Sequence, residues 1–397
     1  MKQTQVHFLW REPEICRRFR TGVCLHGHTM HSKESLTFIP RYGSMVPVLG
    51  WELKRLARNY ERKSGRLPDY SRGHWTPPLA APEAYRLEGR VIEEMGLTAL
   101  VSLTDHDNID AGLHLRQFEE TSTAPVSVEW TVPVEEIYFH LGVHNIPAAE
   151  AGVLMAQMAE ATRHPNGGQY REILAAIHRH PDTLVVLNHP MWDQSGVGPN
   201  RHRAVLREFL AASGNWFHAL ELNGLRPWDE NRETMDWARA GGYPVVSGGD
   251  RHGCEPSAVV NLTRAATFSG FAAEVRDGRS VVGFQNHYRE PHGFRVLKAI
   301  SDIMAYYPEN GSRSLWSDRI FCQLYTGEVV SVSQLWKGNR PGVVRIFEHA
   351  VRLSQRRVAR SLLRGCFRNG IDLDREILAY GNPPGLDDER ASYANIL

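Results

Sequence analysis

Residues 22–28 read GVCLHGH, an apolar run that ends in two histidines one residue apart. The run lacks the polar alternation of a half-solvated strand, as expected of strands covered on both faces of a parallel sheet. Side chains at i and i+2 of a strand share a face, so His26 and His28 can approach one site together. Similar runs follow at 98–106 (TALVSLTDH), 125–131 (PVSVEWT), 137–146 (IYFHLGVHNI), 183–189 (TLVVLNH), 219–224 (ALELNG) and 243–252 (YPVVSGGDRH). Helical periodicity lies between several of them, over 82–95, 148–161, 170–180, 203–212 and 229–240. Strand–helix alternation of this kind predicts an α/β barrel or a doubly wound sheet. The third and fourth runs leave no room for a helix and predict a hairpin-like connection.

The strand ends collect side chains that bind metals. His26 and His28 close the first run, Asp105 and His106 the second, and Glu129 lies in the third. His140 lies in the fourth, His189 ends the fifth, and Asp250 and His252 end the seventh. One histidine at a strand end is commonly a polar cap or a satisfied core residue. Burying this many imidazoles and carboxylates without partners would cost roughly 1–3 kcal/mol per unsatisfied group. A metal cluster satisfies them together. Imidazole and carboxylate suit Mn, Fe or Zn, and the lack of thiolates argues against a structural zinc site.

The rest of the composition narrows the class. The chain has 397 residues, 42% hydrophobic and 23% charged, the balance of a soluble globular enzyme. Lys and Arg number 46 against 45 Asp and Glu, which excludes a global charge field directed at nucleic acid or membrane. No stretch approaches the ~18 consecutive apolar residues of a spanning helix. Charges in MKQTQVHFLWREPEICRRFR occupy the place of a signal peptide's apolar core. Five cysteines without a C-x-x-C pair make no disulfide framework, so a cytoplasmic location is expected. A G-x-S-x-G elbow, a Walker A loop and a G-x-G-x-x-G fingerprint are all absent from the sequence.

Two stretches fall outside the repeat. The insertion 35–81 has a basic helical patch (Lys54, Arg55, Arg58, Arg62, Lys63, Arg66) followed by a loop rich in Pro, Gly and Tyr. After about residue 265 the strand pattern fades, so 266–397 is expected to be a mainly helical extension of a 1–265 barrel. Within it, 343–368 predicts one amphipathic helix. Val344, Phe347, Val351, Val358 and Leu362 would pack inward, and its arginines would be solvated.

HGHTMHS, LTDHDNIDAG, Glu129 in VEWT, His140 in YFHLGV, NHP and GGDRHG, in that order, resemble the PHP (polymerase and histidinol phosphatase) superfamily. The resemblance spans roughly residues 20–260. It implies a distorted seven-stranded α/β barrel, (β/α)7, holding two or three divalent ions (Mn, Fe or Zn) and hydrolysing phosphoesters with a metal-bridged hydroxide as nucleophile. Carried over by position, His26, His28, His106, His140, His189, Asp250 and His252 are ligands, Glu129 bridges two metals, and Asp105 supports His106. Glu129, Asp250 and Asp105 are the catalytic candidates. Lys33 stands where family members often have an acidic ligand of the third metal. Glu34 is the preferred substitute, with His31 the alternative.

Around this set, Glu221 and Asn223 are expected to support ligands. His144, Asp107 and Asp193 are alternates. Arg251 should point away from the ligands beside it, and Arg201, His202 and Arg203 read as a solvated loop. The expected substrate is a small phosphorylated molecule. A nuclease acting on oligonucleotide ends, an amidohydrolase-like enzyme cleaving C–N bonds and a non-catalytic metal-binding module are the alternatives. The amidohydrolase pattern typically includes a metal-bridging lysine, and none of the strand ends carries one.

Overall fold

All seven apolar runs form strands. The structure is a computed structural model that describes residues 3–37, 47–336, 338, 340–354, 356–366 and 373–381. In chain order its strands are β1 (Gln3–Phe8), β2 (Thr21–Leu25), β3 (Glu34–Ser35), β4 (Gly73–Trp75), β5 (Thr98–Ser102), β6 (Val128–Val134) and β7 (Ile137–His144). They continue as β8 (Leu184–Asn188), β9 (Ala219–Asn223), β10 (Val245–Gly248), β11 (Val259–Thr263), β12 (Arg279–Phe284), β13 (Ile320–Gln323) and β14 (Val329–Ser331). The runs read from sequence are β2 and β5 to β10.

Three sheets result, ordered β1-β12-β11-β2-β5, β10-β9-β8-β7-β6 and β14-β13-β4-β3. Isolated parallel bridges tie the two five-stranded sheets at two seams, Gly27 to Arg251 and His106 to Glu129. At the first seam Asp250 N donates to His26 O (2.8 Å) and His28 N to Arg251 O (2.8 Å). At the second, Glu129 N donates to Asp105 O (3.1 Å) and Asp107 N to Glu129 O (2.9 Å). The two seams thus join strand ends that carry the candidate ligands.

The expected hairpin is β6–β7, antiparallel through Val134 and Ile137 with Glu135 at φ 54° in the turn. The strands are not all parallel, because β7 also runs antiparallel to β8. Every residue of β2, β8 and β9 is buried, as expected of strands covered on both faces. Val23, Leu25, Leu184, Val186 and Val246 pack with Phe268, Phe271 and Val275 of the helix Phe268–Arg276. Outer helices cover the second sheet. Among them, Pro199–Ser213 and Trp228–Gly241 bury Leu206, Phe209 and Trp237 in the same core cluster as Trp130 and Leu141. Each such aliphatic or aromatic side chain contributes about 1.5–3 kcal/mol.

The described part of the region after residue 265 is mostly helix, but it also carries strands that the sequence does not announce. It contributes β12 to the first sheet, and β13 pairs with β4 of the insertion on one side and with β14 on the other. These strands are three to six residues long, too short to stand out as periodic runs. The single helix expected over 343–368 is two helices, Gly342–Ser354 and Arg357–Cys366. Val351 is buried as expected, whereas Phe347 is 41% and Leu362 68% exposed. The basic patch of the insertion lies mainly on the helix Pro47–Ser64, where Lys54, Arg55, Arg58 and Arg62 are exposed. Among the described residues, no helix is long and apolar enough to cross a membrane.

Candidate metal centre

The strand ends aim their histidines and carboxylates at one point. Glu129 lies at its middle, buried, with His26 Nε2 3.0 Å, His28 Nε2 3.3 Å and His106 Nδ1 3.3 Å from its Oε2. Its Oε1 lies 3.2 Å from His140 Nδ1 and 3.1 Å from His189 Nε2, and it accepts from Asn188 Nδ2 at 3.0 Å. One carboxylate therefore touches five imidazoles. Asp250 Oδ1 sits 3.5 Å from His28 Nε2 and 3.4 Å from His252 Nδ1. Glu34 Oε2 sits 3.2 Å from His106 Nε2 and 3.3 Å from His252 Nε2.

These side chains fall into overlapping groups whose ligand atoms lie within 4.8 Å of one another. The groups are His28, Glu34, His106 and His252; His26, His189 and Asp250; His26, His28 and Glu129; and His106, Glu129 and His140. All nine residues read as ligands from the sequence are present in them. Glu34, rather than Lys33 or His31, occupies the acidic position. Lys33 is exposed, and His31 lies beside His114, ring centroids 6.2 Å apart.

The backbone is bent to achieve this. His26, His189 and Asp250 have φ of 65°, 28° and 51°, in the left-handed region that costs a non-glycine residue free energy. β2 ends at Leu25 and β10 at Gly248, so His26 and Asp250 lie beyond their strands. Both pairs still converge, but by this local twist rather than by the strand alternation expected from the sequence. Gly248 is obligatory, since a Cβ there would lie 2.2 Å from Glu221 Oε2 and 2.9 Å from His26 Cβ.

Burial and charge set the protonation. Burial alone pulls His26 down, but Glu129, Glu221 and Asp250 together hold it well above the usual imidazole range. His28 is pushed down to about 3 by burial and by neighbouring His252, and His140 to about 4, chiefly by burial. Against its own burial, Glu129 is held well below the carboxylate range by His26, His106 and His140. His26 Nε2, His28 Nε2, His140 Nδ1 and Glu129 Oε2 are buried without a hydrogen bond. Clustered lone pairs of this kind, aimed at one another and unsatisfied, suit divalent cations, and the donor set of imidazole and carboxylate fits Mn, Fe or Zn.

The supporting residues also find places. Glu221 Oε2 lies 2.7 Å from His26 Nδ1, and Asn223 Nδ2 donates to Glu221 Oε1 at 2.6 Å. A carboxylate behind a ligating imidazole fixes its orientation. Asp105 does not reach the cluster. It accepts from Thr29 N (2.6 Å) and Oγ1 (2.7 Å), pinning the loop after His28, and burial raises its carboxyl to about 7. Its candidacy as a catalytic group therefore becomes one of positioning.

Arg251 points away as expected. It pairs with buried Glu88 (2.8 Å) and donates to His28 O (3.0 Å). His144 binds Ser102 Oγ, Asp107 accepts from Thr131 N, and Asp193 accepts from the backbone of Gly196 to Gly198. Among the described residues, none of these three stands in a group whose atoms could share an ion. Arg201 pairs with Glu135 and Glu136, and Arg203 with Glu233, on the helix Pro199–Ser213 instead of a free loop. His202 is buried against Pro190 O.

Sequence reading missed Ser32, Asn188 and Trp75. Ser32 Oγ donates to Glu34 Oε1 at 2.5 Å and accepts from His106 N at 3.1 Å. Ser32 and Asn188 adjoin ligand motifs, in HTMHS and NHP, and that adjacency was the available signal. Trp75 lies in the loop-like GHWTPP, where nothing local marks it.

No protein-family model and no curated protein matches the chain. Among solved structures, a provisionally named metal-dependent phosphoesterase from Bifidobacterium adolescentis aligns over 51% of this chain and 92% of its own, at 13% identity and TM-score 0.32. An amidohydrolase from Chromobacterium violaceum aligns over 44% of this chain and 83% of its own, at 16% identity and TM-score 0.30. Likeness at these scores carries no argument, and the functional reading rests on the side chains themselves.

Proposed function

We propose that the chain is a metal-dependent hydrolase that cleaves phosphoester bonds, most fittingly of a small phosphorylated molecule. We read its two bridged sheets as a distorted seven-stranded barrel of the PHP type, running through β2 and β5 to β10. One observation carries the reading: eight buried or half-buried ligands surround Glu129, itself the ninth, and four polar atoms of this set are unsatisfied. His26, His189 and Asp250 would hold one ion, His28, Glu34, His106 and His252 another, and His106, Glu129 and His140 a third, with Glu129 shared. Divalent ions at such a centre lower the pKa of water and neutralise charge developing on the phosphoryl oxygens.

The chain's own contribution is position. Glu221 fixes the His26 ring, Ser32 fixes Glu34, and Asn188 fixes Glu129. In the reaction an oxygen of water bonds to phosphorus, the ester P–O bond breaks, and the alcohol leaves with a proton. The strand-end motifs HGH, TDH, VEWT, YFHLGV, NHP and GGDRH contain no lysine, which favours phosphoester over C–N hydrolysis.

The test is elemental analysis after reconstitution with Mn, Fe or Zn, followed by assay against phosphomonoesters, phosphodiesters, short oligonucleotides and amides. At least two ions per chain and phosphoester turnover are expected. Fewer than one ion per chain, or turnover confined to amides, overturns the reading. Oligonucleotide cleavage that falls steeply with salt would transfer it to a nuclease.

A further inference from the structure

The insertion and the C-terminal region meet in the sheet β14-β13-β4-β3, and that sheet borders the metal centre. Glu34 of β3 is opposite Trp75 of β4, and Trp75 is opposite Ile320 of β13. Residues directly opposed across antiparallel strands project from the same face. Glu34 is already fixed on the side of the centre by its contacts with His106 and His252. Trp75 therefore faces the centre too, and its half-buried ring lies 5.6 Å from that of His252 at 39°.

The other face of the sheet has different chemistry. Ser35, His74 and Phe321 are opposed there, with the His74 and Phe321 rings stacked at 5.1 Å, and Arg313 lies over Phe321 at 5.6 Å. Among the described residues, Lys33 and Arg313 both act on His74, on the face turned away from the ligands. Towards the centre the sheet offers Glu34, already committed to the cluster, and beyond it an indole and an isoleucine.

We propose that Trp75 determines specificity by providing a platform on which a planar, uncharged aromatic group in the organic half of the substrate stacks. The proposal rests on the phosphoester reading above. Among the described residues this face of the sheet presents Glu34, Trp75 and Ile320 and no cation to a second phosphate or carboxylate, whereas a flat ring gains offset or tilted contact with the indole. Of the other rings at the centre, Trp192 meets His189 edge-on at 79° and carries Arg226 over its face at 4.6 Å. It is less available as a platform.

The experiment compares the Mn-loaded full chain with Trp75→Ala and Trp75→Phe, checked for native circular dichroism. Phenyl phosphate, ethyl phosphate and adenosine 5′-monophosphate serve as substrates. Binding of phenylphosphonate and ethylphosphonate is measured by calorimetry. Trp75→Ala should raise KM for phenyl phosphate about tenfold at unchanged kcat, leaving ethyl phosphate within about twofold. Trp75→Phe should restore most of the difference, and the phosphonate Kd values should follow the same order.

Equal effects on the aromatic and alkyl compounds, or none, overturn the platform while leaving the hydrolase reading intact. If neither ester turns over, the hydrolase reading fails, and selective loss of phenylphosphonate binding in Trp75→Ala still supports the platform. Binding of neither phosphonate overturns both. Preference for the nucleotide over phenyl phosphate would identify the stacked ring as a base, and the reverse as a simple aryl group.

Discussion

Eight ligand side chains and the ninth are built in different ways. His26, His28, His106, Glu129, His140, His189, Asp250 and His252 lie on or just beyond strands of the two five-stranded sheets. Glu34 lies on a two-residue strand of the peripheral sheet, which depends on residues 320–323 for its far neighbour. The first set inherits its position from a packed core, the last from a pairing between distant parts of the chain. A site of this kind can be recognisable by its core-borne ligands while its completion and its selectivity are decided elsewhere.

That difference can be broken most sharply at Glu129. Glu129→Gln should lower kcat and kcat/KM together by roughly 10²–10³-fold and strip bound metal, since the residue touches five imidazoles at once. The fold should survive, as circular dichroism would show. Full turnover with only a raised KM would make Glu129 a substrate contact.

Next in size is the seam between β2 and β10. Glu88 and Arg251 form an ion pair whose side chains are 3% and 2% exposed, and Arg251 also holds His28 O. Glu88→Gln leaves a buried guanidinium uncompensated and should cost about 3 kcal/mol in denaturant unfolding. An unchanged midpoint would show that the seam is held by its backbone bonds alone.

Glu34→Ala should act more narrowly. Metal analysis should show one ion lost and the others retained, and activity should fall by about 10–100-fold. Loss of all metal would mean that the peripheral sheet is as essential to the centre as the core strands are. The smallest effect belongs to the exposed surface. Arg356→Ala should change stability by no more than about 0.5 kcal/mol, and should leave hydrolysis of small esters unchanged.

The same contrast explains what was legible in the amino-acid sequence. β2, β8 and β10 are short runs dominated by Val, Leu and small residues, and the histidines that follow them stand out against that background. Glu34 could be picked from its neighbours only by its charge. What seats it is Ser32 and the opposition to Trp75, and the latter joins residues some forty positions apart. β12 and β13 stayed hidden because four to six residues of mixed polarity give no periodicity, and one partner of each, β1 and β4, lies more than two hundred residues away. The twist at His26 and Asp250 was invisible for another reason. Left-handed backbone at a histidine or aspartate is imposed by tertiary contacts, and neither residue type announces it.

The pairing of β4 with β13 also sets an order in time. A chain emerging from the ribosome has all nine ligands once residue 252 is free, and the strands that carry eight of them can already pair. β3 and β4 alone make a two-residue contact, well below what an isolated hairpin needs to persist in water. Their sheet gains β13 only after some 245 further residues have been made, and that long loop must then close. Assembly of the centre is therefore staged, with a core of eight ligands formed during synthesis and Glu34 and Trp75 seated last.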